Sequence, residues 1–384
     1  KKSLDFFDSL KLRQFSRSPL KVRFMSLSLC YSKYKRVRRH RKTGTFLPVG
    51  AVYFSRMFLS TSYVSMGQQF IVYMVKWIIL VILNTKGTVN RLFDALAPLM
   101  PPDCPLFCLT TYLCQQHRDD VLAQITRRLR DGQPLVCIST QLIEAGVDLS
   151  FDCVVRDLAG LPSIAQAAGR CNRHGDAGCR PVYLIECAGE HLDTLPEIYD
   201  GRELTRALLA QLPPGTDLLS PQVIQMYYQR YYSGPRHRLD MQYPVSPGGC
   251  AATTMVDLLS SNPRGVQAFL EQGRRPERLK DLCQAFGTAE AAFEAIPDET
   301  LPVLVPYDAG RDKLLRLQSA GGTPALLREL QPYTVSLSRS QCQRLGRALY
   351  PVLDGAALVL REPYYDSGHK GLMFTPSGMT TLII

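Results

Sequence analysis

From residue 78 onward the chain alternates short apolar runs with stretches whose apolar residues recur every three or four positions. The run IILVILNT opens at Ile78, and the stretch after it sets Val89, Leu92, Phe93 and Leu96 on one helical face. Pro98, Pro101 and Pro102 end that face. A second apolar run, Leu106–Leu109, precedes a helix predicted over residues 116–130, with Val121, Leu122, Ile125 and Leu129 as its stripe and Asp131-Gly132 as its stop. Further strands are expected at Leu135–Ser139, Cys153–Arg156 and Val182–Glu186, with a helix over 163–171 before the last. Strands alternating with helices in this way predict an α/β domain, a parallel sheet covered by helices on both faces.

The pattern changes beyond Ala188. Residues 190–245 read as helical, including the aromatic stretch MYYQRYY at Met226–Tyr232. Gly234-Pro235 and the Ser-Pro-Gly-Gly of 246–249 are linker signals. Two more helical stretches fall in 255–295. Residues 301–384 mix short strands (Leu301–Pro306, Thr334–Leu337, Ala357–Arg361) with helices near Lys313–Leu317 and Ala325–Leu330. The expected division is an atypical segment 1–77, an α/β domain 78–189, a helical linker region 190–260 and a small mixed α+β accessory domain 261–384.

Charge separates the first segment from the rest. The formal net charge is +11, yet residues 1–60 carry 15 Lys or Arg against Asp5 and Asp8, a local net of +13 that leaves −2 for the remainder. No Asp or Glu occurs from Ser9 to Phe93. Three readings of this segment compete: a basic nucleic-acid arm, a targeting or membrane segment, or an out-of-frame stretch joined to a gene body. The third is favoured, because basic arms rarely carry so many scattered Phe, Tyr and Leu. The apolar run Phe70–Leu83 spans 14 residues and contains Lys76. A membrane-spanning helix needs about 20, so a buried strand at its end, Ile78–Leu83, fits better, and no membrane partner is expected. The twelve cysteines include no CxxC pair and read as reduced core thiols. Cys171, His174 and Cys179 match no common zinc spacing, and no metal site is expected.

Two constellations carry chemistry. In Gln166-Ala-Ala-Gly169-Arg170-Cys-Asn-Arg173, positions 166, 170 and 173 share a face if the helix continues through them. Two guanidiniums there can reach a triphosphate's terminal oxygens and offset charge that develops in phosphoryl transfer. The plain alternative is a solvated helix with surface arginines. In Ser139-Thr140-Gln141-Leu-Ile-Glu144-Ala-Gly146-Val-Asp148, hydroxyls and amides at a strand's C-terminal end are placed to hold a phosphate backbone. Gly146 allows close backbone approach, and Asp148 can accept from a ribose or from one of the arginines. The plain alternative is a polar strand-to-helix loop. The two motifs in this order, about 20 residues apart, are far more specific than either alone.

STQLIEAGVDLSFD resembles motif V, and QAAGRCNRHG motif VI, of superfamily 2 helicases. VILNT at 81–85 resembles motif IV, and LFCLTTYLCQQHRDDVL at 106–122 the strand–Thr–helix element of that superfamily. The phrase LAGLPSIAQAAGRCNRHG is most similar to the helicase–nucleases of type I CRISPR systems, I-C branch. The likeness continues through LPVLVPYDAG, PYTVSLSR and LREPYYDSGHKGLMF, covering residues 78–384. Ala167 departs from the basic residue many helicases carry there.

The resemblance implies a second RecA-like domain followed by a helical linker and a C-terminal domain. It implies Arg170 and Arg173 as arginine fingers, with Gln166, Gly169, Gly146 and Asp148 binding nucleotide or coupling it to DNA. It implies that Asn84, Thr85, Thr110, Ser139, Thr140 and Gln141 contact the DNA backbone. ATP and Mg2+ would be the cofactors, single-stranded DNA and a guide-RNA surveillance complex the partners, and the cytoplasm the location. The family's HD nuclease and first RecA-like domain have no counterpart in the motifs of this chain, which holds no GxxxxGK[ST] loop and no adjacent His-Asp pair. The expectation is therefore the C-terminal part of a helicase–nuclease that is inactive alone. A non-catalytic remnant and a subunit completed by a separately encoded first half are the alternatives. Tyr364, Tyr365, Asp366 and His369 read as an edge strand and turn rather than a catalytic group.

Overall fold

A computed structural model describes residues 78–144, 148–173, 180–187, 190–213, 216–234, 243–245, 252–273, 283–293 and 300–376, together with the backbone of 23–24 and 51–54. Five parallel strands form the centre: β1 (Ile78–Ile82), β2 (Leu106–Leu109), β3 (Leu135–Ser139), β4 (Cys153–Asp157) and β5 (Pro181–Ile185). Their order across the sheet is β5-β4-β1-β3-β2. Two short strands, Ala51–Phe54 and Arg23–Phe24, add in parallel beyond β5.

The strand order fixes the layers. The chain runs from β1 to the far edge at β2, then turns back through β3. With right-handed crossovers, helix α1 (Lys86–Leu96) lies on one face and α2 (Gln115–Arg130) on the other. Alternation along the strands agrees. Ile79, Val81 and Leu83 join Val136, Ile138, Val89, Leu92, Phe93 and Leu96 in one buried cluster. Ile78 pairs with Leu135 and Ile82 with Ser139, so the apolar runs of β1 and β3 are in register. Helix α1 begins where Thr85 accepts the Thr88 N–H at 3.2 Å. Helix α2 ends in Arg127, Arg128 and Arg130, matching the negative end of the helix dipole. Arg128 also donates to the Asp103 carbonyl at 2.6 Å. Helix α3 (Leu161–Ala168) joins β4 to β5, and α4 (Pro196–Gln211) and α5 (Pro221–Ser233) follow the sheet in the chain.

Residues 300–376 form a mixed sheet, β7-β6-β9-β8, from β6 (Thr300–Leu304), β7 (Thr334–Ser338), β8 (Leu349–Val352) and β9 (Ala357–Leu360). Pairs β6–β7 and β8–β9 are antiparallel and β6–β9 parallel. The α/β domain and this mixed sheet are both as expected from the pattern. They also belong to one compact unit, residues 1–224 with 300–384, while Gln225–Glu299 forms a second. In the second unit Val245, Met255, Leu258 and Ala289 share a small core. Of its tyrosines, Tyr227 is buried, whereas Tyr228 and Tyr232 are exposed and stack at 5.8 Å.

Within the first unit the mixed sheet is sealed to the start of α2. Tyr112 and Cys114 share a core with Val303, Val335, Leu337, Tyr365 and Leu372. The Tyr365 hydroxyl accepts the Cys114 N–H at 3.2 Å and lies 3.1 Å from Nδ1 of His117. His117 stacks on Tyr307 with ring centroids 4.2 Å apart, and the Tyr307 hydroxyl donates to Asp120 at 2.9 Å. The Asp366 carboxylate caps a turn by accepting N–H bonds from Gly368, His369 and Lys370. Tyr365 and Asp366 thus pair with Gly371 and Leu372 in the strand and turn the sequence predicts.

Burial lowers the His117 pKa to about 4, against the pull of Asp366 and Asp120. The neutral ring is the one the fold accepts, so the stability tied to it is present above the unfolded value and is lost as pH falls from about 6.5 through 4. That difference corresponds to about 3 kcal/mol. Urea midpoints should fall more steeply over this window for the wild-type chain than for His117→Gln; equal slopes would refute the assignment.

Candidate functional site

Five of the candidate residues sit at one end of the parallel sheet. Asn84 and Thr85 follow β1, Thr110 follows β2, and Ser139 and Thr140 close β3, with Gln141 next in the chain. These strands are neighbours, and Ile82 and Leu109 both pair with Ser139. The fold therefore brings the six residues to one edge, the C-terminal edge where α/β sheets bind ligands.

Their side chains divide by exposure. Ser139 is fully buried, and its hydroxyl donates to the Leu109 and Thr140 carbonyls at 2.8 and 2.9 Å. Thr110 is fully buried and accepts the Tyr112 N–H. Asn84 is 3% exposed and faces inward. Thr85 caps α1, while Thr85 and Gln141 are half-buried at the rim. Lys86 adds a cation to this rim, donating to Thr111 at 3.1 Å over the Tyr112 ring. The sequence reading weighed hydroxyls and amides here and passed over Lys86.

The two arginines occupy different settings. The predicted helix over 163–171 instead ends at Ala168, and Gly169 caps it. Phe151 then bridges Cys171: the Phe151 N–H donates to the Arg170 carbonyl and the Asn172 N–H to the Phe151 carbonyl, at 2.9 and 3.0 Å. Asn172 takes φ 51°, a left-handed conformation that asparagine tolerates. Helical spacing therefore does not put Gln166, Arg170 and Arg173 on one face; a short strand-like turn sets Arg173. That side chain is 40% exposed and ion-paired with Asp148, and the backbone N–H of Arg173 donates to Ser150 Oγ at 3.0 Å. Arg170 is 5% exposed and donates to the Glu144 carbonyl at 2.6 Å. Burial, and then the charge of Arg173, lower the pKa of Arg170. Gln166 and Gly169 are exposed; Gly146 lies outside the described residues. A cleft of about 390 Å3 lined by Asp148, Ser150, Asn172 and Arg180 opens beside the Arg173–Asp148 pair.

Beneath this surface lies a polar network that the motifs do not announce. Arg156, fully buried in β4, donates to Asn84 Oδ1 at 2.8 Å, to the Asp157 carbonyl at 2.9 Å and to Ser163 Oγ at 2.8 Å. Its Nε pairs with Glu144 at 3.0 Å. Ser163 donates to the same carboxylate, and Asn84 donates to Asp157, the Leu158 carbonyl and Glu190. Burial raises the Glu144 pKa, opposed by Arg156 and Ser163. Burial and the neighbouring Glu190 hold Asp157 well above the usual carboxylate range. The one sequence signal was a charge inside an apolar strand, CVVRD.

Among the described residues no three His, Cys, Asp or Glu side chains are grouped to hold a metal ion. Cys171 is buried, and His174 and Cys179 lie outside the described residues. No helix among the described residues is long and apolar enough to cross a membrane.

Residues 76–176 match the family model described as CRISPR-associated nuclease/helicase Cas3, C-terminal. The CRISPR-associated nuclease/helicase Cas3 of Haloferax volcanii is 67% identical over 45 residues, which are 12% of this chain and 5% of that protein. That of Methanothermobacter thermautotrophicus is 31% identical over 112 residues, 28% of this chain and 13% of that protein. The crystal structure of T. fusca Cas3 superposes with a TM-score of 0.54 at 16% identity, covering 86% of this chain and 42% of that one. Its Cas3-ATP form gives 0.55, covering 95% and 44%. At that identity the superposition shows a shared fold, and the chain spans less than half the length of each of these relatives. Residues 76–176 of this chain are thus similar to the C-terminal part of the Cas3 nuclease/helicases.

Proposed function

We propose that this chain supplies the second RecA-like half of an ATP-dependent single-stranded DNA helicase or translocase, part of a helicase–nuclease in CRISPR antiviral defence. The observation that carries the reading is the Arg173–Asp148 pair, exposed beside a cleft. Arg173 and Arg170 are the fingers for the γ-phosphate. Gln166, Gly169, Gly146 and Asp148 bind nucleotide or couple it to DNA. Asn84, Thr85, Thr110, Ser139, Thr140 and Gln141 form the DNA-backbone edge. Since Asn84, Thr110 and Ser139 are bonded inward and Thr140 is buried, the rim residues Thr85 and Gln141 make the direct contacts and the others shape the edge.

The T. fusca Cas3-ATP, Cas3-AMPPNP and Cas3-ADP structures support nucleotide as the ligand of the shared fold. Bound ATP and Mg2+ would supply the phosphoryl transfer, both held mainly by a first RecA-like domain opposite this surface. The fingers offset charge only when that opposite wall is present, so the chain alone should hydrolyse ATP negligibly. A guide-RNA surveillance complex would recruit the assembled enzyme in the cytoplasm.

The test is titration of labelled oligo(dT) and a fluorescent ATP analogue onto the purified chain. Thr85→Val with Gln141→Ala should weaken oligonucleotide binding severalfold, and Arg173→Ala should weaken nucleotide binding about tenfold, the loss of one charge-assisted contact. Oligonucleotide binding unchanged in the double variant would assign it to the basic residues of 1–60 and sink the DNA edge. DNA-stimulated ATP hydrolysis by this chain alone would refute the half-site.

A further inference from the structure

We propose that Arg156 is a positioning residue that ties the DNA edge to the arginine pair, so that nucleic acid and nucleotide influence each other's binding through it. The inference rests on the functional reading above.

Its partners are the reason. Arg156 is fully buried at the C-terminal half of β4, and a buried ion pair replaced whole by packed apolar residues is often at least as stable. Its bonds fall on three separate segments. Asn84 stands where β1 becomes the DNA edge. Glu144 closes the segment that carries Thr140 and Gln141. Ser163 lies in the first turn of α3, whose far end leads into Arg170. The circuit then closes on itself, because the carbonyl of Glu144 accepts from Arg170. A shift of the Thr140–Glu144 segment on binding DNA therefore moves the Glu144 carboxylate against Arg156 and the Glu144 carbonyl against Arg170 together.

A planar guanidinium suits this task. Its fixed fork holds Asn84, Glu144 and Ser163 at set angles to one another, which an ammonium on a flexible stem does not do. The apolar walls of β4 keep water from substituting for any one of these bonds.

Coupling between two binding sites is reciprocal and appears as a ratio of affinities. The experiment measures the affinity of the whole chain for a fluorescent ATP analogue with and without saturating oligo(dT), for wild type, Arg156→Lys and Ser163→Ala, with thermal midpoints as the fold control. Wild type should bind nucleotide roughly fivefold tighter with oligonucleotide present, within the usual range of such couplings. Ser163→Ala, which removes one half-buried hydroxyl, and Arg156→Lys should keep nucleotide affinity without DNA within about twofold while the ratio falls toward one. If Arg156→Lys does not fold, Ser163→Ala decides. A ratio preserved in a folded Ser163→Ala overturns the proposal, as does a wild-type chain that binds both ligands independently. A wild-type chain that binds neither ligand overturns the functional reading itself, and the coupling with it.

Discussion

Arg156→Ala should destabilise the first unit by about 3–5 kcal/mol, the usual cost of removing one partner from a buried ion pair. The substitution leaves Glu144 buried without its cation and removes donors from Asn84 Oδ1, Ser163 Oγ and the Asp157 carbonyl. It also opens a void in a strand packed on both faces. An internal check comes from pH. The Glu144 pKa is already raised by burial and, without Arg156, should rise further. A carboxyl raised in the folded state binds protons preferentially there, so its penalty shrinks as pH falls through that folded value. The deficit of Arg156→Ala relative to wild type should therefore narrow in acid. Urea midpoints at neutral and mildly acidic pH measure both effects. A cost below about 1 kcal/mol, that of an ordinary surface change, would show that Arg156 is dispensable to the fold.

Gly371→Ala should be the most damaging single methyl in the accessory sheet. Gly371 has φ 71°, and a Cβ there would stand 2.3 Å from the Tyr112 carbonyl oxygen and 3.0 Å from the Leu113 Cα. These are backbone atoms, and the Tyr112 carbonyl is already fixed by the Leu372 N–H at 2.9 Å. The sheet must retreat or the β10–β11 pair (Tyr365–Asp366 with Gly371–Leu372) must open. The expected loss is about 2–4 kcal/mol, combining left-handed strain with overpacking. Gly355→Ala is the control: its φ is 90° with nothing within 4 Å of the added carbon, so it carries the strain alone. It should cost about 1–2 kcal/mol. Equal thermal midpoints for the two variants would show that the contact with Tyr112 carries no weight.

Much of this was legible in advance where local pattern decides structure. The five parallel strands stand within a residue or so of the apolar runs, because a strand buried on both faces must be apolar throughout. Strand β8 was not foreseen. Its LYPV holds Pro351, which an edge strand admits and a central one does not, and β8 is an edge of its sheet. The helix bearing Gln166 was seen but overextended. Its end is set by the bridge of Cys171 to Phe151, a contact 20 residues away that no helical period encodes. Within the site, residue types were readable and orientations were not. Ser139 and Gln141 stand in one motif, yet the first bonds wholly within the fold and the second lies half-buried at the rim. Arg156 went unnoticed because its worth depends on Asn84, Glu144 and Ser163, gathered from segments up to 72 residues away.

The seal between Tyr365 and Cys114 joins residues 251 positions apart. During synthesis the parallel sheet is complete by Ile185, long before Tyr365 leaves the ribosome. Until then Tyr112, Cys114 and His117 have no cover from the accessory sheet, and the edge strand β2 ends at an unfinished wall. Non-local closure of this kind is slow, and the waiting surface is prone to wrong partners. The nascent domain thus passes through a long interval in which a chaperone, or a second copy of the chain, meets the same surface that Tyr365 will later occupy.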